Sequence, residues 1–162
     1  MHAFFQESMM QRLLVLPLLI VALACAAADG PYNEAADARQ DIKQALAQAA
    51  QSGKSVIVVF GANWCGDCKV LDLAMKQGAS APFVAREFQV VKVDVGRFDR
   101  NVAIAESYGV PLKSGIPAIV ILSPANKILY VTRAGELADA GNMGENGIYD
   151  FLRKVTPAAT KS

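Results

Sequence analysis

Cys65 and Cys68 are the residues best suited to chemistry, and they stand two apart in the stretch Trp64-Cys65-Gly66-Asp67-Cys68-Lys69. Two thiols at this spacing in the first turn of a helix come within disulfide-bonding reach, so the pair can close a small ring and reopen it. Redox exchange is therefore the first expectation. The apolar run Val56–Phe60 precedes the pair, and Val70, Leu71, Ala74 and Met75 follow it at helical spacing. That places the thiols at a helix N-terminus, where unpaired N–H groups and a partial positive charge favour thiolate at the leading cysteine. Cys65 is expected to be the nucleophile and Cys68 the resolving thiol.

Other chemistries lack their parts. A zinc site needs about four ligands, and the single histidine, His2, lies at the extreme N-terminus. Haem attachment needs a histidine after the second cysteine, where Lys69 stands. A serine triad fails for the same want of histidine. No metal or cofactor is expected beyond the Cys65-Cys68 disulfide itself. Gly141–Gly147 has the wrong spacing for a nucleotide loop and reads as a flexible loop. Asp94 and Asp99, with Arg97 and Arg100, read as a solvated turn and helix cap. The 162 residues carry a net charge of +1 with basic residues scattered singly, which excludes a nucleic-acid surface or a polybasic membrane patch.

The N-terminus reads as an export signal over residues 1–28. Arg12 precedes an apolar run, Leu13–Ala28, that ends in small residues and is shorter than the ~20 residues of a membrane-spanning helix. Translation from Met9 or Met10 would give a more usual start. Ala26-Ala27-Ala28 fits cleavage into a soluble compartment, the preferred reading. Ala22-Leu23-Ala24-Cys25 also resembles a bacterial lipoprotein box, which would lipidate Cys25 and anchor the chain to a membrane. Either outcome leaves Cys65 and Cys68 as an isolated pair, suited to an oxidising compartment such as the periplasm or cell envelope.

Beyond a linker at 29–33, one domain is expected over 34–157, with a tail at 158–162. Asn33 is placed as the cap of a helix running to about Ser52, followed by a central strand at Ser55–Phe60 covered on both faces. The helix after the thiols ends near Gly78, and a short helix starts at Ser80. Val91, Val93 and Val95 alternate with Lys92 and Asp94 in a second strand, Gln89–Val95. Asp99 is placed as the cap of a short helix through Ser107, and a hairpin follows, Ala118–Leu122 with Lys127–Thr132. Gly135–Gly147 separates it from a last helix, Ile148–Val155.

This order, α-β-α-(α)-β-α-β-β-α, resembles the thioredoxin-like fold, an α/β architecture with a central mixed sheet flanked by helices. The resemblance rests on strand, Trp-Cys-Gly-x-Cys-Lys and helix in register with Tyr108-Gly109-Val110, Gly115-Ile116-Pro117 and the closing hairpin, covering about residues 34–155. It implies a cis-proline at Pro117 lying against the disulfide, with the backbone of Ile116 presented to a substrate strand beside Cys65. It also implies that Trp64, Gly66, Asp67 and Lys69 tune the site or line its groove.

Three departures from the family pattern stand out. Val59 sits where thioredoxins carry a buried aspartate that helps deprotonate the resolving thiol, so Cys68 must lose its proton to water or to another group. Asp67 replaces the usual proline between the cysteines. Its charge disfavours the Cys65 thiolate and so argues for a reductant over a strong oxidant. Pro111–Ser114 is an insertion beside the expected substrate groove. The expectation is an exported thiol-disulfide oxidoreductase, acting as a disulfide reductase on protein disulfide or thiol substrates and recharged by a membrane electron donor. The alternative is a redox-silent module of the same fold that binds peptides, acts as a chaperone or serves as an envelope scaffold.

Overall fold

The computed structural model describes residues 30–156. The expected export signal, the Cys25 lipidation site and the tail lie outside them. Five helices and four strands follow one another as α1 (Ala38–Ser52), β1 (Ser55–Gly61), α2 (Gly66–Lys76), α3 (Ser80–Glu87), β2 (Phe88–Asp94), α4 (Val102–Ser107), β3 (Ala118–Leu122), β4 (Ile128–Val131) and α5 (Ala140–Val155), with a 3-10 turn at Leu112–Ser114 before β3.

The strands form one mixed sheet in the order β2-β1-β3-β4. β1 runs parallel to β2 and antiparallel to β3, and β3 pairs antiparallel with β4. Because successive side chains of a strand point to opposite faces, the apolar run of β1 serves two cores. Val56, Val58 and Phe60 pack with Val91, Val93 and Val120 beneath α1 and α4. Ile57 and Val59 pack with Ile119, Ile121 and the inward residues of α2, α3 and α5. The unbroken hydrophobicity of β1 and β3 is the signature of strands covered on both faces. Its functional consequence is a rigid floor whose β1 end delivers the chain into the Ala62–Cys65 turn.

Three local expectations are corrected. Asn33 does not cap α1, because its Oδ1 is turned onto the Ala35 N–H at 3.0 Å in a local turn. Asp37 caps the helix, accepting from the Arg39 and Gln40 N–H groups at 3.1 Å each. Asp99 likewise turns backward to the Arg97 N–H at 2.9 Å, and α4 starts at Val102 behind Asn101, whose φ is +51°. The segment expected as a flexible glycine-rich loop is largely the first part of α5, broken at Gly144 (φ +65°, ψ 177°). Leu137 and Ala140 are fully buried there and hold it to the second core.

Candidate active site

Cys65 and Cys68 are joined as a disulfide with Cα atoms 5.2 Å apart. Cys65 is the N-cap of α2, and its Sγ accepts the Cys68 N–H at 3.1 Å. The sulfur of the leading cysteine thus occupies the place where a cap oxygen ordinarily sits, facing the positive end of the helix. Cys65 is 5% exposed and Cys68 1%, so an incoming sulfur meets Cys65 first. Opposite, Ile116–Pro117 is a cis peptide, and the Ile116 carbonyl oxygen lies 3.6 Å from Cys65 Sγ. Both Ile116 and Pro117 are buried, whereas Gly66 and Lys69 face solvent.

Trp64 forms the rim. It is 49% exposed, yet its Nε1 donates to the Gly96 carbonyl at 2.8 Å. Its ring meets Phe98 edge-on at 6.0 Å, and the Arg97 guanidinium lies over it at 5.7 Å. Phe98 is also exposed and holds φ +65°, a sparsely populated conformation for a bulky residue and one that concentrates at functional surfaces. From Phe98 an apolar groove of about 450 Å³ runs along Val102, Val110, Pro111 and Leu112 to Gly115. Residues Pro111, Leu112 and Lys113 of the insertion therefore line this groove, with Leu112 buried as its anchor.

Asp67 is not a free surface acid. Its Oδ1 accepts the Gly141 N–H at 2.8 Å, which makes it the N-terminal cap of α5, a helix whose own leading residue, Asp139, makes no cap bond. The carboxylate inside the redox ring therefore ties α2 to α5.

Two buried residues, one packed with the disulfide and one facing it through the other, escaped the sequence reading as parts of the site. Tyr32, placed in the linker, is 1% exposed and packs in the same core as both cysteines. Asn63 holds it there, accepting the Tyr32 N–H at 2.9 Å and donating to the Tyr32 carbonyl at 2.8 Å. Asp94, read as part of a solvated turn, is 5% exposed. It accepts the Gly96 N–H at 3.0 Å and lies 3.6 Å from Arg100. Burial raises the Asp94 carboxyl above its usual range, with Glu34 and Asp99 adding to the rise and Gly96 and Arg100 opposing it. Burial, reinforced by the Asp94 charge, pushes the Tyr32 phenol well above its ordinary value. A glycine ending an apolar strand, Gly61, was the available signal that another group approaches closely.

A family model described as thioredoxin-like matches residues 37–124, more than half of the chain. The chain belongs to the thioredoxin-like family. Among solved structures, this thioredoxin-like chain is similar to a disulphide isomerase from Xylella fastidiosa, with 45% identity, a TM-score of 0.76, and 79% of this chain and 98% of that chain covered. A thioredoxin-like protein of Synechocystis is 32% identical over 91 residues, 54% of this chain and 79% of that one. A protein disulfide-isomerase of maize is 27% identical over 109 residues. That match takes in 67% of this chain but only 18% of the maize protein. Within the family frame, Cys65-Cys68 is a thiol-disulfide oxidoreductase pair. Among the described residues no helix is long and apolar enough to cross a membrane.

Proposed function

We propose that the protein is an exported disulfide reductase acting on protein substrates through Cys65 and Cys68. The observation that carries the reading is the placement of the Cys65 sulfur at the α2 N-terminus, 3.6 Å from the Ile116 carbonyl. A thiolate there attacks a substrate disulfide, the substrate S–S bond breaks, one substrate sulfur leaves with the bonding pair, and the other joins Cys65. Cys68 then attacks Cys65 Sγ, the second substrate sulfur leaves, and both substrate thiolates take protons from water. The protein ends oxidised and must be recharged by a dithiol donor, here placed at the membrane.

Support for a protein substrate comes from the Trp64 and Phe98 rim and from the groove ending at Gly115, next to Ile116. Support for the reducing direction comes from Asp67, whose charge opposes a build-up of Cys65 thiolate and so weakens the dithiol relative to the disulfide. Export rests on the apolar run Leu13–Ala28.

The test is insulin reduction with dithiothreitol, comparing wild type with Cys65→Ser. Acceleration by wild type alone is expected, and equal rates would end the enzyme reading. A redox titration decides the direction separately, since a potential as oxidising as about −120 mV is that of a strong oxidant.

A further inference from the structure

Resolution of the mixed disulfide requires a Cys68 thiolate, and Cys68 is nearly sealed from water. Burial of an unassisted thiolate is costly, so a donor in the protein is needed to lower that cost. The family's strand acid is replaced by Val59, and the Val59 side chain lies in the core under α2, α3 and α5, whereas Cys68 packs in the core under α1 and α4. The group that does approach Cys68 comes from the segment before α1.

Gly61 shows how closely. A Cβ at Gly61 would collide with the Tyr32 hydroxyl and would stand 2.9 Å from Cys68 Sγ. Phenol oxygen and sulfur converge on that one point, which bounds their separation at about 5 Å. The approach is built from three sides. Gly61 leaves the space empty, Asn63 clamps both backbone groups of Tyr32, and Gly30 packs so tightly on Asn63 that a Cβ there would overlap its side chain. No hydrogen bond from the Tyr32 hydroxyl uses it up elsewhere among the described residues.

Resting on the oxidoreductase reading, we propose that Tyr32 is a positioning residue for the resolving step, its O–H donating a hydrogen bond to the Cys68 thiolate. Cys68 gives up its proton to water, and the Tyr32 hydrogen bond holds the charge that remains. The sulfur electron pair forms the new bond to Cys65 Sγ as the substrate sulfur departs and is protonated by water. Tyr32 keeps its own proton throughout. The nearby Asp94 charge favours that, since a phenol facing a carboxylate resists ionisation. The other charged groups around the pair are Arg100, Glu34 and Asp99, which surround Asp94. On α2, Asp67 and Lys69 flank Cys68 in sequence, and Asp72, one turn on, is paired with Lys92 and Lys76.

The experiment is stopped-flow reaction of the reduced protein with dithiobis(nitrobenzoate). The first thionitrobenzoate released reports attack by Cys65, and the second reports resolution by Cys68. In Tyr32→Phe the first phase is expected at the wild-type rate. The second should be about tenfold slower near pH 7, with its pH midpoint displaced about one unit to the alkaline side, converging with wild type at high pH. A second phase with wild-type rate and midpoint overturns the inference, as does slowing of both phases with no displaced midpoint, which marks a packing defect.

Should Tyr32→Phe not fold, wild-type protein labelled with tyrosine at the ζ carbon gives the answer. The Tyr32 resonance must follow Cys68 ionisation in the reduced state, and indifference to it overturns the proposal. A wild type that releases no second thionitrobenzoate sinks the oxidoreductase reading itself, and the role of Tyr32 with it. A wild type that resolves normally beside an unaffected Tyr32→Phe sinks only the latter.

Discussion

Replacing Asp67 should separate two jobs that one carboxylate performs, capping α5 and placing charge inside the redox ring. Its Oδ1 takes the Gly141 N–H at 2.8 Å, a charged cap on a helix with no other side-chain cap at its leading residue. Losing such a cap costs about 0.5–2 kcal/mol, so Asp67→Ala is expected to lower Tm by about 2–8 °C for a domain of this size. Asp67→Asn keeps an acceptor oxygen and gives up only the charge, worth ~0.3–1 kcal/mol at a helix end, so its Tm should fall by roughly half as much.

The redox readout behaves differently. Both variants remove the charge that opposes the Cys65 thiolate, and a relief of ~0.5–1 kcal/mol corresponds to about 10–20 mV in the more oxidising direction. Thermal unfolding of the oxidised protein and a glutathione titration of each variant measure the two effects independently. The reasoning is refuted if Asn is as destabilising as Ala, or if either variant becomes more reducing than wild type.

Gly61→Ala places a Cβ against the Tyr32 hydroxyl and the Cys68 sulfur, and overpacking of this kind costs about 1–3 kcal/mol; urea unfolding should show a lowered midpoint with an unchanged slope. Asn63→Ala removes both hydrogen bonds that hold Tyr32, at about 1 kcal/mol each, and limited proteolysis should show faster cleavage within residues 30–36 before any loss of the sheet. Asp94 supplies a pH test. Its folded carboxyl is raised above the ordinary aspartate value, so the native state holds the proton more tightly, and the associated stability is present below the unfolded value of about 3.9 and lost as pH rises through the folded value. Asp94→Asn lacks this loss, and its urea midpoint relative to wild type should therefore be higher at pH 7 than at pH 3.5.

The parts of the molecule governed by local sequence were legible, and those governed by distant packing were not. The apolar runs Val56–Phe60 and Ala118–Leu122 declared strands covered on both faces, and Cys65-x-x-Cys68 declared its own chemistry. Asp37, Asn33 and Asp99 are all competent caps by composition. Which of them caps a helix depends on where the chain turns, and neighbouring residues of similar type cannot express that. Asp67 was read through its charge beside Cys65, but its hydrogen-bond partner lies 74 residues away at Gly141. Asp94 alternates correctly with Val93 and Val95, yet the Val95–Arg100 turn folds back over it, so period-two polarity misjudged its burial. Tyr32 was hidden for the same reason, since an aromatic beside Gly30-Pro31 carries no periodicity to mark it as core.

That last placement bears on how the domain is to be cut. Boundaries are commonly drawn at the first regular element, and a protein shortened to begin at Asp37 would retain every strand and helix among the described residues and both cysteines of the redox pair. It would nevertheless leave a hole where the phenol ring fills the space between β1 and Cys68, and would expose the underside of the resolving sulfur. The unit that carries the chemistry therefore includes Tyr32 and the Gly30 that packs on Asn63. Affinity tags, fusion joints and circular permutations do not belong between that glycine and α1, because those few residues wall the resolving sulfur and are not a tether to it.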